Sequence, residues 1–114
     1  MMKLACLVLL SLLFASAVAK NHVLLGGWSP IKNLNDPRVS GIANYAVTEH
    51  NKRSGENLKL QKLIKGESEV VGGVNYRLTF TATEGSSSDE YQAIVLEKPW
   101  LHFKNLTSFT RVHA

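Results

Sequence analysis

A chain of 114 residues has room for one packed domain and no second. Its 13 Lys and Arg against 9 Asp and Glu give a net charge of +4, spread among acidic residues without the basic stripe and interleaved aromatics of a nucleic-acid reader. The four histidines, His22, His50, His102 and His113, form no i,i+3 or i,i+4 pair of the kind a metal site uses, so neither nucleic acid nor a metal cofactor is expected.

At the N-terminus, Lys3 precedes an apolar run from Leu4 to Phe14 and small residues ending Ala17-Val18-Ala19. This is the pattern of a secretory signal peptide, residues 1–19, with cleavage after Ala19. The run is shorter than the roughly 18 residues of a spanning helix, so no membrane anchor is expected. Cleavage removes Cys6, Met1 and Met2, and the remaining chain, 20–114, has no sulfur and a net charge of +3 once Lys3 is lost. A thiol nucleophile, a disulfide and a thiolate metal site are thereby excluded, and a small secreted domain must then rest on its core and sheet. Secretion also makes the sequon Asn105-Leu106-Thr107 a candidate for glycosylation at Asn105.

Lys20 to Asn35 is rich in Gly, Asn and Ser and reads as an extended lead-in, of which Trp28 to Asn33 is a candidate edge strand. Asp36 is a suitable N-cap, with Pro37 at the first helical position. Val39, Ile42, Ala43, Ala46 and Val47 then recur at helical offsets and predict one buried stripe. Ser54-Gly55 ends the helix behind the basic Lys52 and Arg53. Beyond Gly55 the period changes to two. Leu58, Leu60, Lys62 and Ile64 alternate with Lys59, Gln61, Leu63 and Lys65, and Val74 to Ala82 alternates more clearly. Glu84 to Glu90 is a loop by composition, and its serines lack the G-x-S-x-G turn of a nucleophile. Tyr91 to Lys98 and Leu101 to Val112 read as two last strands, interrupted by Pro99-Trp100. One helix followed by such a meander predicts an α+β domain, in which a curved antiparallel sheet of four or five strands wraps the helix.

Two connections then fall at the same end of the sheet: Val70-Val71-Gly72-Gly73, whose valines have no core to enter, and Pro99-Trp100. Gly26-Gly27 of the lead-in reaches the same end if its strand runs antiparallel to its neighbour. At these residues the chain resembles the plant cystatins, inhibitors of papain-like cysteine proteases, over nearly the whole of 20–114. The resemblance rests on Gly26-Gly27, the helix segment Ile42 to Asn51 ("IANYAVTEHN"), "EVVGG" from Glu69 to Gly73 where the family has Q-x-V-x-G, and "EKPW" from Glu97 to Trp100. Two departures are Glu69 for the family's Gln and Asn44-Tyr45 where Arg-Phe is common.

The resemblance implies the helix-wrapped sheet and a wedge of Gly26, Gly27, Glu69, Val70, Val71, Gly72, Gly73, Pro99 and Trp100 that fills a protease cleft, with Leu24 or Leu25 entering a pocket. No chemistry is asked of such an inhibitor, so it is neither an enzyme nor dependent on a cofactor. It also implies secretion, roles in endogenous proteolysis and defence, and a protein that is mostly monomeric. A C-terminal extension used by some members against legumain-type proteases is not expected here. Strain in the valine-glycine turn would permit an exchanged dimer. Trp100 has a competing reading as a core aromatic. Glu69 has two readings, a local hydrogen-bonding role or a charge that docking buries at a cost. The alternative function is a non-inhibitory cystatin-fold binding or storage protein.

Overall fold

The computed structural model describes residues 27–113; the expected signal peptide 1–19, and Leu24, Leu25 and Gly26, lie outside them. The elements in chain order are β1 (Ser29–Pro30), α1 (Pro37–Ser54), β2 (Lys59–Val70), β3 (Val74–Glu84), β4 (Ser87–Lys98), a single 3₁₀ turn (Pro99–Leu101) and β5 (Phe103–Arg111). The strands form one antiparallel sheet in the order β1-β2-β3-β4-β5, and α1 packs across one face of it against β2 to β5.

α1 begins and ends where its capping chemistry places it. The Asp36 side chain accepts from the Arg38 backbone N–H at 3.0 Å, Pro37 follows, and Gly55 closes the C-terminus in the left-handed conformation, φ 79°, donating to Asn51 O at 2.9 Å. Its buried residues are Val39, Ile42, Ala43, Ala46 and Val47, the stripe that the periodicity predicts. Ala43 and Ala46, with Ala82 and Ala93 of the sheet, let helix and strands approach closely around Phe80, Ile42, Leu78 and Val95, which are fully buried. Each of these four larger side chains contributes about 1.5–3 kcal/mol through removal from water. His50 is a packing residue: its ring stacks on Phe109 at 3.8 Å between centroids, and Nε2 lies 2.7 Å from Glu56 Oε1.

β2 departs from the strict alternation expected of it. Bulges between Leu60 and Lys62 and between Leu63 and Lys65 each add one residue, so that Leu60, Leu63 and Gly66 stand opposite the buried Ala82, Phe80 and Leu78. Leu63 therefore faces the core and Ile64 is exposed, the reverse of the expected pattern. The same bulges bring Lys59, Lys62 and Lys65 to the other face, opposite Thr83, Thr81 and Thr79, along an edge that the two-residue β1 leaves uncovered. Charged side chains there oppose edge-to-edge pairing. Gly66 is buried because a Cβ would meet Leu34 Cδ2 at 3.0 Å and Ile31 Cδ1 at 3.1 Å, so its absence lets the lead-in fold down on the sheet.

Two further expectations are corrected. Glu84 to Glu90 is mostly strand: β3 and β4 run on to the pair Glu84↔Ser87 and turn through Gly85 and Ser86 alone, with Gly85 at φ 62°. β5 starts at Phe103 rather than Leu101, because the 3₁₀ turn absorbs Leu101. Its free edge is partly closed from α1, where the Tyr45 hydroxyl donates to Lys104 O at 3.0 Å and the Arg53 guanidinium to Leu106 O at 2.9 Å.

Candidate functional site

The end of the sheet carrying the β2–β3 and β4–β5 connections forms the site. The β2–β3 hairpin closes on the pair Val70↔Val74 and turns through Val71-Gly72-Gly73, with Val71 N–H donating to Gly73 O at 3.1 Å. Gly72 and Gly73 have φ of 62° and 147°, values that L side chains rarely adopt. At Gly72 a Cβ would stand in open space; at Gly73 it would lie 2.8 Å from the Glu97 carbonyl oxygen and 3.1 Å from Lys98 Cγ. The requirement for glycine at 73 thus comes from the neighbouring strand: the first hairpin is seated on β4 just where β4 enters the second turn.

That second turn is bent twice. Pro99 initiates the 3₁₀ turn, and His102, at φ 49° in the left-handed region, ends it by donating its backbone N–H to Pro99 O at 3.1 Å. Both preceding side chains point outward: Trp100 is 64 % and Leu101 61 % exposed. Trp100 is therefore not a core aromatic in the free protein. Val70 and Val71 are 71 % and 54 % exposed, and the pair Val74↔Glu97 joins their hairpin to the strand leading into Trp100. Phe103, the first residue of β5, is also exposed. Large apolar side chains in water at one end of a domain mark a surface that meets another molecule. Sequence reasoning missed Leu101 and Phe103: Leu101 lies in the 3₁₀ turn and Phe103 pairs with Lys98 as the first residue of β5, so neither is set apart by a local pattern.

The lead-in reaches this end as well. Ser29↔Ser68 and Pro30↔Glu67 are antiparallel, a register that carries Trp28 and Gly27 toward Glu69 and Val70. Trp28 lies over Arg77, its ring centroid 4.3 Å from the guanidinium carbon, and Arg77 makes a two-pronged bond to Glu67 at 2.9 and 3.0 Å. The Arg77 hydrogen bond holds the Glu67 carboxyl below its ordinary range, against the opposing effect of burial. Glu69 is half-buried, and among the described residues no hydrogen bond reaches its carboxylate. At the base of the turns the Tyr76 hydroxyl faces Glu97 Oε1 at 3.5 Å, and burial first, then the Glu97 charge, raises its pKa. Among the described residues no group of three or more His, Cys, Asp or Glu side chains is placed to hold a metal ion. Asn105 is half-buried in β5 opposite Leu96, with the Thr107 hydroxyl donating to Ile94 O at 3.1 Å.

The arrangement offers an exposed apolar contact surface at one end of the sheet. A family model described as aspartic acid proteinase inhibitor matches residues 31–112. The chain is 50 % identical over 107 residues to cysteine proteinase inhibitor 5 of Arabidopsis thaliana, covering 93 % of this chain and 84 % of that protein. It is 46 % identical over 93 residues to cysteine proteinase inhibitor 1 of Actinidia chinensis var. chinensis, covering 82 % and 80 %. The chain belongs to the plant cystatin family. Cystatins are proteinase inhibitors and not enzymes, and this cystatin shares their fold with distant members. The crystal structure of a salivary cystatin from the soft tick Ornithodoros moubata superposes with a TM-score of 0.67 at 20 % identity, over 77 % of this chain and 98 % of that one. In this cystatin the helix position where Phe is common holds Tyr45, whose hydroxyl ties α1 to Lys104 in β5 just past the second turn.

Proposed function

We propose that this cystatin is a secreted, reversible, competitive inhibitor of papain-like cysteine proteases. Its wedge consists of the lead-in at Gly26-Gly27, the β2–β3 turn at Glu69 to Gly73 and the β4–β5 turn at Pro99-Trp100. The observation that carries the reading is the exposure of Val70, Val71, Trp100 and Leu101 together at one end of the sheet, each more exposed than the large apolar residues Ile64 and Val112 elsewhere. Apolar side chains left in water by the fold gain about 25 cal/mol per Å² when a protease cleft covers them, before the costs of association are subtracted. The first turn reverses the chain through Val71, Gly72 and Gly73 alone, which makes it a narrow projection.

Progress curves of papain with the chain 20–114 test this. Stoichiometric, reversible loss of activity, relieved by excess substrate, is the expected result; a flat response sinks the inhibitory reading and favours a binding or storage protein on the same fold. The match to a model described as aspartic acid proteinase inhibitor favours one further arm, titration of a pepsin-type protease in parallel. Roles in endogenous proteolysis and in defence follow from secretion and from this target class. Mass analysis of the secreted protein is expected to place the new N-terminus at Lys20 and to reveal whether Asn105 carries a glycan.

A further inference from the structure

On the outer face of the sheet, one group stands outside both turns. Arg77 of β3 faces Glu67 of β2 and donates to it twice, Nε to Oε1 at 2.9 Å and Nη2 to Oε2 at 3.0 Å. The Trp28 ring covers the guanidinium at 4.3 Å, and the Arg77 and Glu67 side chains keep only 28 % and 18 % of their exposure. A guanidinium bonded in its plane to a carboxylate and covered on its face by an indole is fixed in position and orientation, which an ammonium in the same place would not be. The backbone of the lead-in has little else to hold it. β1 is two residues long, Pro30 has no N–H to give, and the bond that follows is Ile31 N–H to Gly66 O at 2.9 Å.

We propose that the Trp28–Arg77–Glu67 stack holds the lead-in strand beside the first turn, and that Trp28 and Arg77 are positioning residues for inhibition. They act through Gly27, which the β1–β2 register brings toward Val70. The proposal rests on the protease-inhibitor reading given above. A lead-in already aligned loses less freedom when a protease binds, and the benefit is a slower departure of the complex.

The test compares Trp28→Ala, Arg77→Met, their combination, Trp28→Phe and Glu67→Gln in the chain 20–114. It measures association and dissociation rates with papain, and hydrogen exchange of the Ile31 amide in the free protein. Trp28→Ala and Arg77→Met are each expected to speed dissociation about tenfold with association within about twofold. The double variant should be no worse than either single one, since both break the same stack. Trp28→Phe keeps a ring over the guanidinium and should recover most of the loss. In the free Trp28→Ala protein the Ile31 amide should exchange faster. An unchanged dissociation rate, an additive double variant, or a phenylalanine no better than alanine overturns the proposal. If Trp28→Ala does not fold, Glu67→Gln decides by the same rates, a faster departure supporting the stack and an unchanged one overturning it. Failure of the unsubstituted protein to inhibit papain sinks the inhibitory reading instead; Ile31 exchange then judges the stack by itself, faster exchange in Trp28→Ala supporting it and unchanged protection overturning it.

Discussion

A methyl group added at Gly73 would sit 2.8 Å from the Glu97 carbonyl oxygen, on a backbone at φ 147°, whereas one added at Gly72 meets open space at φ 62°. Gly72→Ala is therefore expected to cost about 1 kcal/mol of stability. Gly73→Ala should cost about 2–3 kcal/mol, because the hairpin must also lift from β4, and it should weaken protease binding as the two turns lose their mutual placement. Urea unfolding together with papain titration of both variants checks the ranking; equal costs would mean that the contact with β4 is immaterial. Trp100 is 64 % exposed, so Trp100→Ala should leave the unfolding midpoint unchanged and weaken inhibition by about 2 kcal/mol or more. A lowered midpoint with intact inhibition would return Trp100 to a structural role. Glu67 provides a prediction in pH. Its folded pKa lies below the ordinary 4.5 through the Arg77 hydrogen bond, so its stabilisation is complete above the ordinary value and is lost as pH falls through the lower one. Glu67→Gln should accordingly be less stable than the natural protein at neutral pH, with the gap closing in acid; a gap that persists at the lowest pH would assign the effect to packing. The exposure of Val70, Val71 and Trp100 at the two turns was legible in the sequence, because valines before paired glycines and a tryptophan behind a proline mark breaks in the period-two pattern. That of Leu101 was not, because Leu101-His102-Phe103-Lys104 alternates apolar with polar and reads as strand until the left-handed His102 is seen.

At the level of elements, α1 was readable to its caps because Asp36-Pro37, the five-residue stripe and Gly55 all agree on one helix. β2 was only half readable. Its bulges at Gln61 and Ile64 change which face a residue occupies, and a period-two template has no term for an inserted residue. The Glu84 to Glu90 segment misled by composition: serines and acidic residues suggest a loop, but at an exposed end of the sheet they extend the ladder on either side of a glycine turn. A side-chain device that no local pattern announces joins α1 to Leu58, the residue before β2. The Asn51 amide donates to Leu58 O at 2.9 Å and its oxygen accepts from Leu58 N–H at 3.0 Å, so the side chain stands in for a neighbouring strand. Asn51→Ala leaves both backbone groups of a buried residue unpaired and should cost about 1–3 kcal/mol. Urea denaturation measures it, and a loss within about 0.5 kcal/mol would show that water substitutes for the amide.

For the whole molecule, the same turn that makes the wedge narrow is the hinge at which two copies could exchange arms. The left-handed angles of that turn fall on Gly72 and Gly73, where the absence of a Cβ removes the steric penalty of such angles. Strain can be introduced at Gly72, where space is open and the backbone alone objects. Gly72→Val places a β-branched residue at φ 62°, at a cost of about 1–3 kcal/mol per turn, which is relieved if Val71 to Gly73 straightens, so that β2 runs directly into its own β3 and each β3 pairs with β2 of the second copy. The exchanged form recovers the same sheet contacts twice over and loses both hairpin tips, so Val71 no longer projects. Size exclusion of Gly72→Val is expected to show a concentration-dependent dimer fraction above that of the natural protein, with inhibition per chain falling in proportion to it. Dimer fractions that inhibit papain as well as the monomer would mean that the first turn is not needed in the cleft and that Trp100 and the lead-in suffice.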